Sequence, residues 1–153
     1  MTDKSAFTDD EWHALTEAPL LVTLAIFATG EHGPISMVKE ASASARAIAR
    51  PGDRGAASPL IAEIAKDAEG KEARHDMKEH RGRSMEEALE HSLTDLAPAA
   101  AALKKIPADE AAQVGAWFVD IAKAVAGAAK TVSPTEQGAI DKIASLFGAS
   151  PAG

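Results

Sequence analysis

The chain has 153 residues, a formal net charge of −7 and no cysteine. That length suits one domain around one core, and the missing thiols exclude disulfides, thiolate chemistry and cysteine-rich zinc sites. The acidic balance argues against a nucleic-acid partner gripped through its phosphates, since no basic stripe offsets it.

Two further features narrow the class. Met1 to Asp10 is polar and acidic, whereas an export signal opens with positive charge and an apolar run. The longest apolar stretch, Ala18 to Ala28, is broken by Thr23 and is much shorter than the ~20 residues of a membrane span. The expectation is a cytoplasmic protein with no span, folded as a single helical domain over 1–153. Tyrosine is absent, aromatics are 4% of residues and no segment alternates apolar with polar, so strands are not expected. Alanine, the best helix former, is abundant.

Along the chain, the first helix start is the clearest signal. Thr8 is placed to accept a hydrogen bond from an unpaired backbone N–H, and Glu11 to bond back, as in a capping box. Phe7 and Trp12 flank the cap at the staple positions. Leu15, Leu20, Leu24 and Phe27 continue the helix, with a kink or break expected at Pro19, which cannot donate to the carbonyl of Leu15. The nearly uniform apolarity beyond Pro19 predicts a central, buried helix ended by Gly30.

Pro34 opens a second helix to about Ala49, with Ile35, Val38, Ala41, Ala45 and Ile48 at spacings of three and four. Residues 51–57 read as a loop. Ser58-Pro59 then caps a helix carrying Leu60, Ile61, Ile64 and Ala65 on one face, ending near Gly70. Residues 71–83 form an exposed polar segment. Its cations, Lys71, Arg74, Lys78, Arg81 and Arg83, are interleaved with Glu72, Asp76 and Glu79.

A second capping box, Ser84 with Glu87, opens a helix with Met85, Leu89, Leu93, Leu96, Ala100 and Leu103 inward and a kink expected at Pro98. Pro107 starts the next helix, whose stripe is Val114, Trp117, Phe118, Ile121, Ala122 and Val125. Ser133-Pro134 with Glu136 is a third box. The last helix buries Ile140, Ile143, Ala144 and Phe147 and stops at Gly148, leaving 149–153 as a frayed tail. The expected fold is all-α, a compact bundle of about six to seven helices with two similar helical hairpins at the two ends.

The segment Trp117 to Gly148 combines an alanine-rich apolar helix, a short turn, a Ser-Pro-x-Glu start and a final helix closing on Leu-Phe-Gly. It resembles the closing hairpin of the TerB-like tellurite-resistance family, and Leu21 to Ala41 is loosely similar to that family's opening hairpin. About half the chain is covered. The resemblance implies a helical fold. In that family an Asp-Gly pair in the hairpin turn contributes to a metal-binding acidic surface; neither turn here has that pair, so the resemblance implies the fold more than metal binding. Here the turns read Gly30-Glu31-His32-Gly33 and Lys130-Thr131-Val132-Ser133, and only Glu31 has the chemistry to substitute.

The residues themselves offer a second metal candidate. His75 and Glu79 are four apart, His80 follows, and Glu87 and His91 form another four-apart pair. Imidazole nitrogens and carboxylate oxygens together suit a divalent zinc, iron or manganese ion. The competing reading is a set of surface histidines in ion pairs, because the di-iron bundle pattern spaces Glu and His by three. His13 and Glu17 read as a helix-surface pair, and Trp12, Trp117 and Phe118 as core. Catalytic signatures are missing: Gly52-Asp53-Arg54-Gly55 lacks the strand and lysine of a phosphate loop, and no serine sits in a nucleophile elbow. Three functions follow as expectations. The first is a non-enzymatic domain, related to stress, acting by contact with a protein partner or as a homo-oligomer. The second is a metal-binding protein using His75, Glu79, His80, Glu87 and His91. The third is a small-molecule binder with an apolar pocket between helices kinked at Pro19 and Pro98.

Overall fold

A computed structural model describes residues 2–27, 34–68, 85–128 and 134–148. The described residues contain helices and no strands. A short 3-10 helix, Lys4–Ala6, leads into α1 (Asp9–Phe27). There follow α2 (Pro34–Ala49), α3 (Asp53–Ala57), α4 (Pro59–Ala68), α5 (Met85–Leu103), α6 (Ala108–Gly127) and α7 (Pro134–Leu146).

The start of α1 forms as its sequence dictates. The Thr8 hydroxyl accepts from the Glu11 N–H at 3.2 Å, and Glu11 Oε2 accepts from the Thr8 N–H at 2.8 Å. The Phe7 and Trp12 rings meet with centroids 5.9 Å apart. Asp9, Asp10 and Glu11 place negative charge in the first turn, where the helix dipole favours it.

The helix then runs without a break through Pro19. The proline removes one donor only, and its surroundings hold the helix on both sides. Ala18, Leu21 and Val22 are buried, and the Thr23 hydroxyl donates to the Pro19 carbonyl at 2.9 Å. The same hydroxyl meets Ser44 of α2 at 2.6 Å inside the core. α5 likewise continues through Pro98, which is exposed.

Helix α1 is the centre of the bundle. It packs most extensively on α5 and also touches α2, α4, α6 and α7. Leu15, Ala18, Val22, Ala25 and Ile26 are accordingly sealed from water. α6 is the second hub, against α2, α1 and α7. The whole predicted stripe of α6 is buried, and Gly115, Val119 and Ala126 join it, because a helix covered by several neighbours needs more than one apolar face. At Gly115, α6 comes close to the residue that follows α7: a Cβ there would lie 3.0 Å from Phe147 Cβ and 3.1 Å from the Phe147 carbonyl oxygen.

Three local readings need correction. Residues 53–57 are a helical turn rather than loop. Gly52 turns the chain at φ 62°, which favours glycine, and Ala56 and Ala57 are good helix formers. Ala45 faces out, and Ser44 takes the inward place beside Ile48, stabilised by Thr23. Pro107 caps α6 from outside, its carbonyl accepting from the Ala111 N–H at 3.0 Å, and the helix begins at Ala108. The other starts match: Ser58 Oγ accepts from the Ile61 N–H at 3.4 Å, and Leu60, Ile61, Ile64 and Ala65 are buried. Gly148, at φ 65°, follows the end of α7. The two terminal helix pairs are present, but α2 leans on α6 more than on α1, so the halves are interlocked rather than stacked as separate hairpins. The segment 71–83, Ser84, Ser133 and the tail 149–153 lie outside the described residues.

Candidate functional site

Among the described residues, clefts open where helix ends meet. The first lies between the C-terminal turns of α5, the start of α6 and the end of α7, with a volume of 560 Å³. Its walls are Ala100, Leu103, Ile106, Ala108, Ala111, Ala112, Leu146, Phe147 and Gly148, with Lys104 and Ser145 as the polar side chains. The local sequence explains its shape. α5 tightens as it ends, the N–H groups of Lys104, Lys105 and Ile106 donating three residues back to Ala101, Ala102 and Leu103. That turn folds Ile106 inward, where it is buried. Phe147 meets Phe118 edge-on at 4.9 Å between centroids, which fixes the floor. Alanines at 108, 111 and 112 keep the α6 wall shallow.

The second cleft, 490 Å³, lies beside the cap of α1. Phe7 and Trp12 form its apolar part, and Asp3, Lys4, Ser5, Asp9 and Glu63 its rim. Several of these polar groups are tied to one another or to Asp67. The Trp12 indole N–H donates to Asp67 Oδ2 at 2.8 Å. The Lys4 ammonium lies 3.7 Å from the same carboxylate and 5.6 Å from the centre of the Trp12 ring. The Lys4 backbone N–H donates to Glu63 at 3.2 Å.

Near this end Asp3, Glu11 and Glu110 titrate below their ordinary values. The Lys105 ammonium, 2.7 Å from Glu11, is the main reason that Glu11 titrates below its ordinary value, followed by the Thr8 backbone N–H. The Thr2 hydroxyl and backbone N–H do the same for Glu110, and the Ser5 hydroxyl and backbone N–H for Asp3. Further off, Arg54 of α3 forks onto Asp120 of α6, its Nη2 at 3.4 Å from Oδ1 and its Nε also donating.

Of the proposed metal ligands, His75, Glu79 and His80 lie outside the described residues. Glu87 and His91 are one turn apart on α5, Glu87 exposed and His91 partly so, and His91 Nε2 is 3.3 Å from Asp95 Oδ2 on the next turn. Among the described residues, no group of three or more histidines and carboxylates gathers as a metal set. His13 and Glu17 form the expected surface pair at 3.8 Å. Trp12, Trp117 and Phe118 are all core residues. Trp117 lines neither cleft, and its buried indole N–H has no acceptor.

Sequence reasoning missed both clefts. The first joins residues 100–112 to 145–148 and the second residues 3–12 to Glu63, so each closes only when a distant segment arrives, which no local pattern announces. Among the described residues no helix is long and apolar enough to cross a membrane. Comparison of the chain with protein-family models, curated proteins and solved structures finds no match.

Proposed function

We propose that this chain is a non-enzymatic interaction domain that receives a partner protein in the apolar cleft between α5, α6 and α7. The observation that carries this reading is the lining itself. Leu146 and Phe147 are partly exposed in an open apolar cleft backed by the buried Leu103 and Ile106, with Lys104 as the titratable side chain at its edge. Such a lining supports binding by burial of apolar surface, at about 25 cal/mol per Å², rather than proton transfer. The occupant that fits is a short amphipathic segment whose aliphatic side chains enter the cleft and whose carboxylate meets Lys104. On this reading the contact serves a stress response, in keeping with the resemblance of Trp117 to Gly148 to the TerB-like closing hairpin.

A second reading draws on the cleft volume. At 560 Å³ it falls within the range of small-molecule sites, roughly 300–1,000 Å³. The site then takes an apolar ligand with an anionic group.

One experiment separates the two. A photo-cross-linking side chain is placed at Ala112, an exposed wall residue, and as a control at Ala62 on α4, also exposed. In cells that produce the protein, the interaction reading predicts a discrete protein adduct from position 112 that disappears with Phe147→Ala and is absent from position 62. An adduct of small-molecule mass supports the second reading. Equal labelling at both positions, or none at 112, overturns both.

A further inference from the structure

We infer that the cleft beside the α1 cap is a second docking surface, taking an arginine side chain of a partner protein, with Lys4 as its built-in competitor. The inference rests on the reading of this chain as an interaction domain, but it concerns a different surface and a different chemistry.

Two independent observations point to a cation. The first is a cation already in place. Lys4 Nζ lies over the Trp12 ring at 5.6 Å, within the distance at which a ring attracts a positive charge. The Trp12 indole is fixed at its edge by its hydrogen bond to Asp67, so the ring is held in one orientation beneath Lys4. The second is an excess of negative charge. Asp3, Asp9 and Glu63 line the cleft with Lys4 as the cationic side chain among them, and Asp67 stands at the ring's edge beside the Lys4 ammonium. Lys4 and the N-terminal ammonium that acts on Asp3 leave this rim net negative.

The cleft volume, 490 Å³, leaves room beside the Lys4 side chain. Lys4 is also loosely held. Its side chain is 60% exposed, and its ammonium is 3.7 Å from Asp67, beyond good hydrogen-bond length. An ion pair this exposed gives way readily to a competing cation. Arginine is the better competitor, because a planar guanidinium stacks on an indole and forks onto carboxylates, which an ammonium does not. Lys4 therefore keeps the ring covered until a partner's guanidinium takes the ring and the Asp9 and Glu63 carboxylates.

The test uses the full chain labelled with nitrogen-15 and an acetylated, amidated Gly-Arg-Gly-Arg-Gly peptide. A second peptide carries citrulline at both arginine positions, which has nearly the same shape without the charge. The arginine peptide should shift the Trp12 indole signal and the amides around Lys4, Phe7, Glu63 and Asp67, and the citrulline peptide should not. Lys4→Gln should tighten binding, and Asp9→Asn with Glu63→Gln should weaken it, each by about two- to fivefold. Glu90→Gln with Asp109→Asn removes the same charge elsewhere on the surface and should change the affinity less. Spectra of each free variant establish that it is folded. Shifts scattered over the acidic surface, equal weakening by both double variants, or no gain from Lys4→Gln would overturn the proposal. The cross-linking result at Ala112 is independent of these outcomes, so failure here leaves the reading of the apolar cleft to its own test.

Discussion

The two clefts differ in what holds them open. The one at the α1 cap is braced by polar contacts: Trp12 to Asp67, Lys4 to Glu63 and Asp67, Thr8 to Glu11, and Glu11 to Lys105. The one between α5, α6 and α7 is braced by packing, through Phe147 on Phe118 and the close approach of Phe147 to Gly115. Polar bracing responds to pH and salt, whereas packing responds to volume. The two ends of one bundle are therefore open to separate perturbation.

The largest expected effect abolishes the difference. Leu15 and Leu21 lie at the centre of α1, essentially without solvent contact. Leu15→Ala should cost about 2–5 kcal/mol by thermal or denaturant unfolding. Because α1 touches most of the other helices, both clefts should loosen together. A change confined to one cleft would contradict the central place of α1.

A smaller effect should separate them. Gly115→Ala forces Phe147 away from α6, with an overpacking cost of about 1–3 kcal/mol. Nuclear magnetic resonance should show shifts at Leu103, Ile106 and Phe147 and little change at Trp12. Thr8→Ala should do the reverse at about 1 kcal/mol, the usual worth of a cap, with changes at Phe7 and Trp12.

The smallest effect is electrostatic and its sign is fixed. Glu11, Glu110 and Asp3 all titrate below their ordinary values in the folded chain. Such groups stabilise the fold above the unfolded carboxylate range, near pH 4, and that stabilisation is lost as pH falls through the lower folded values. The melting temperature should fall in this acid window. Glu11→Gln should reduce the dependence, and added salt should screen the part that comes from the exposed Glu11–Lys105 pair.

Much of the fold was legible because its determinants are local. The cap at Thr8, the Ser58-Pro59 start and the stripe of α6 are written within a few residues of one another, and each forms as read. The misreadings arose where distant residues decide. Ser44 turns inward because Thr23 of α1 offers it a partner, and nothing within α2 announces this. The 53–57 turn carries Arg54 to Asp120, 66 positions away. Of the kink or break expected at Pro19, the break does not occur: α1 is continuous, with buried residues on both sides of the proline. The clefts were illegible for the same reason. Trp12 reads correctly as core from its spacing, but its neighbours Lys4, Glu63 and Asp67 come from two other segments.

The central claim is that two chemically distinct docking surfaces sit on one helical bundle. A single labelled sample tests it most directly, titrated first with the Gly-Arg-Gly-Arg-Gly peptide and then with an acetylated, amidated Leu-Leu-Glu-Leu peptide. The account predicts two separate shift maps. The first should centre on Trp12, Lys4 and Glu63, and weaken with salt. The second should centre on Leu103, Ile106 and Phe147, and hold as salt rises. Coincident maps, or a salt response shared by both, would contradict it.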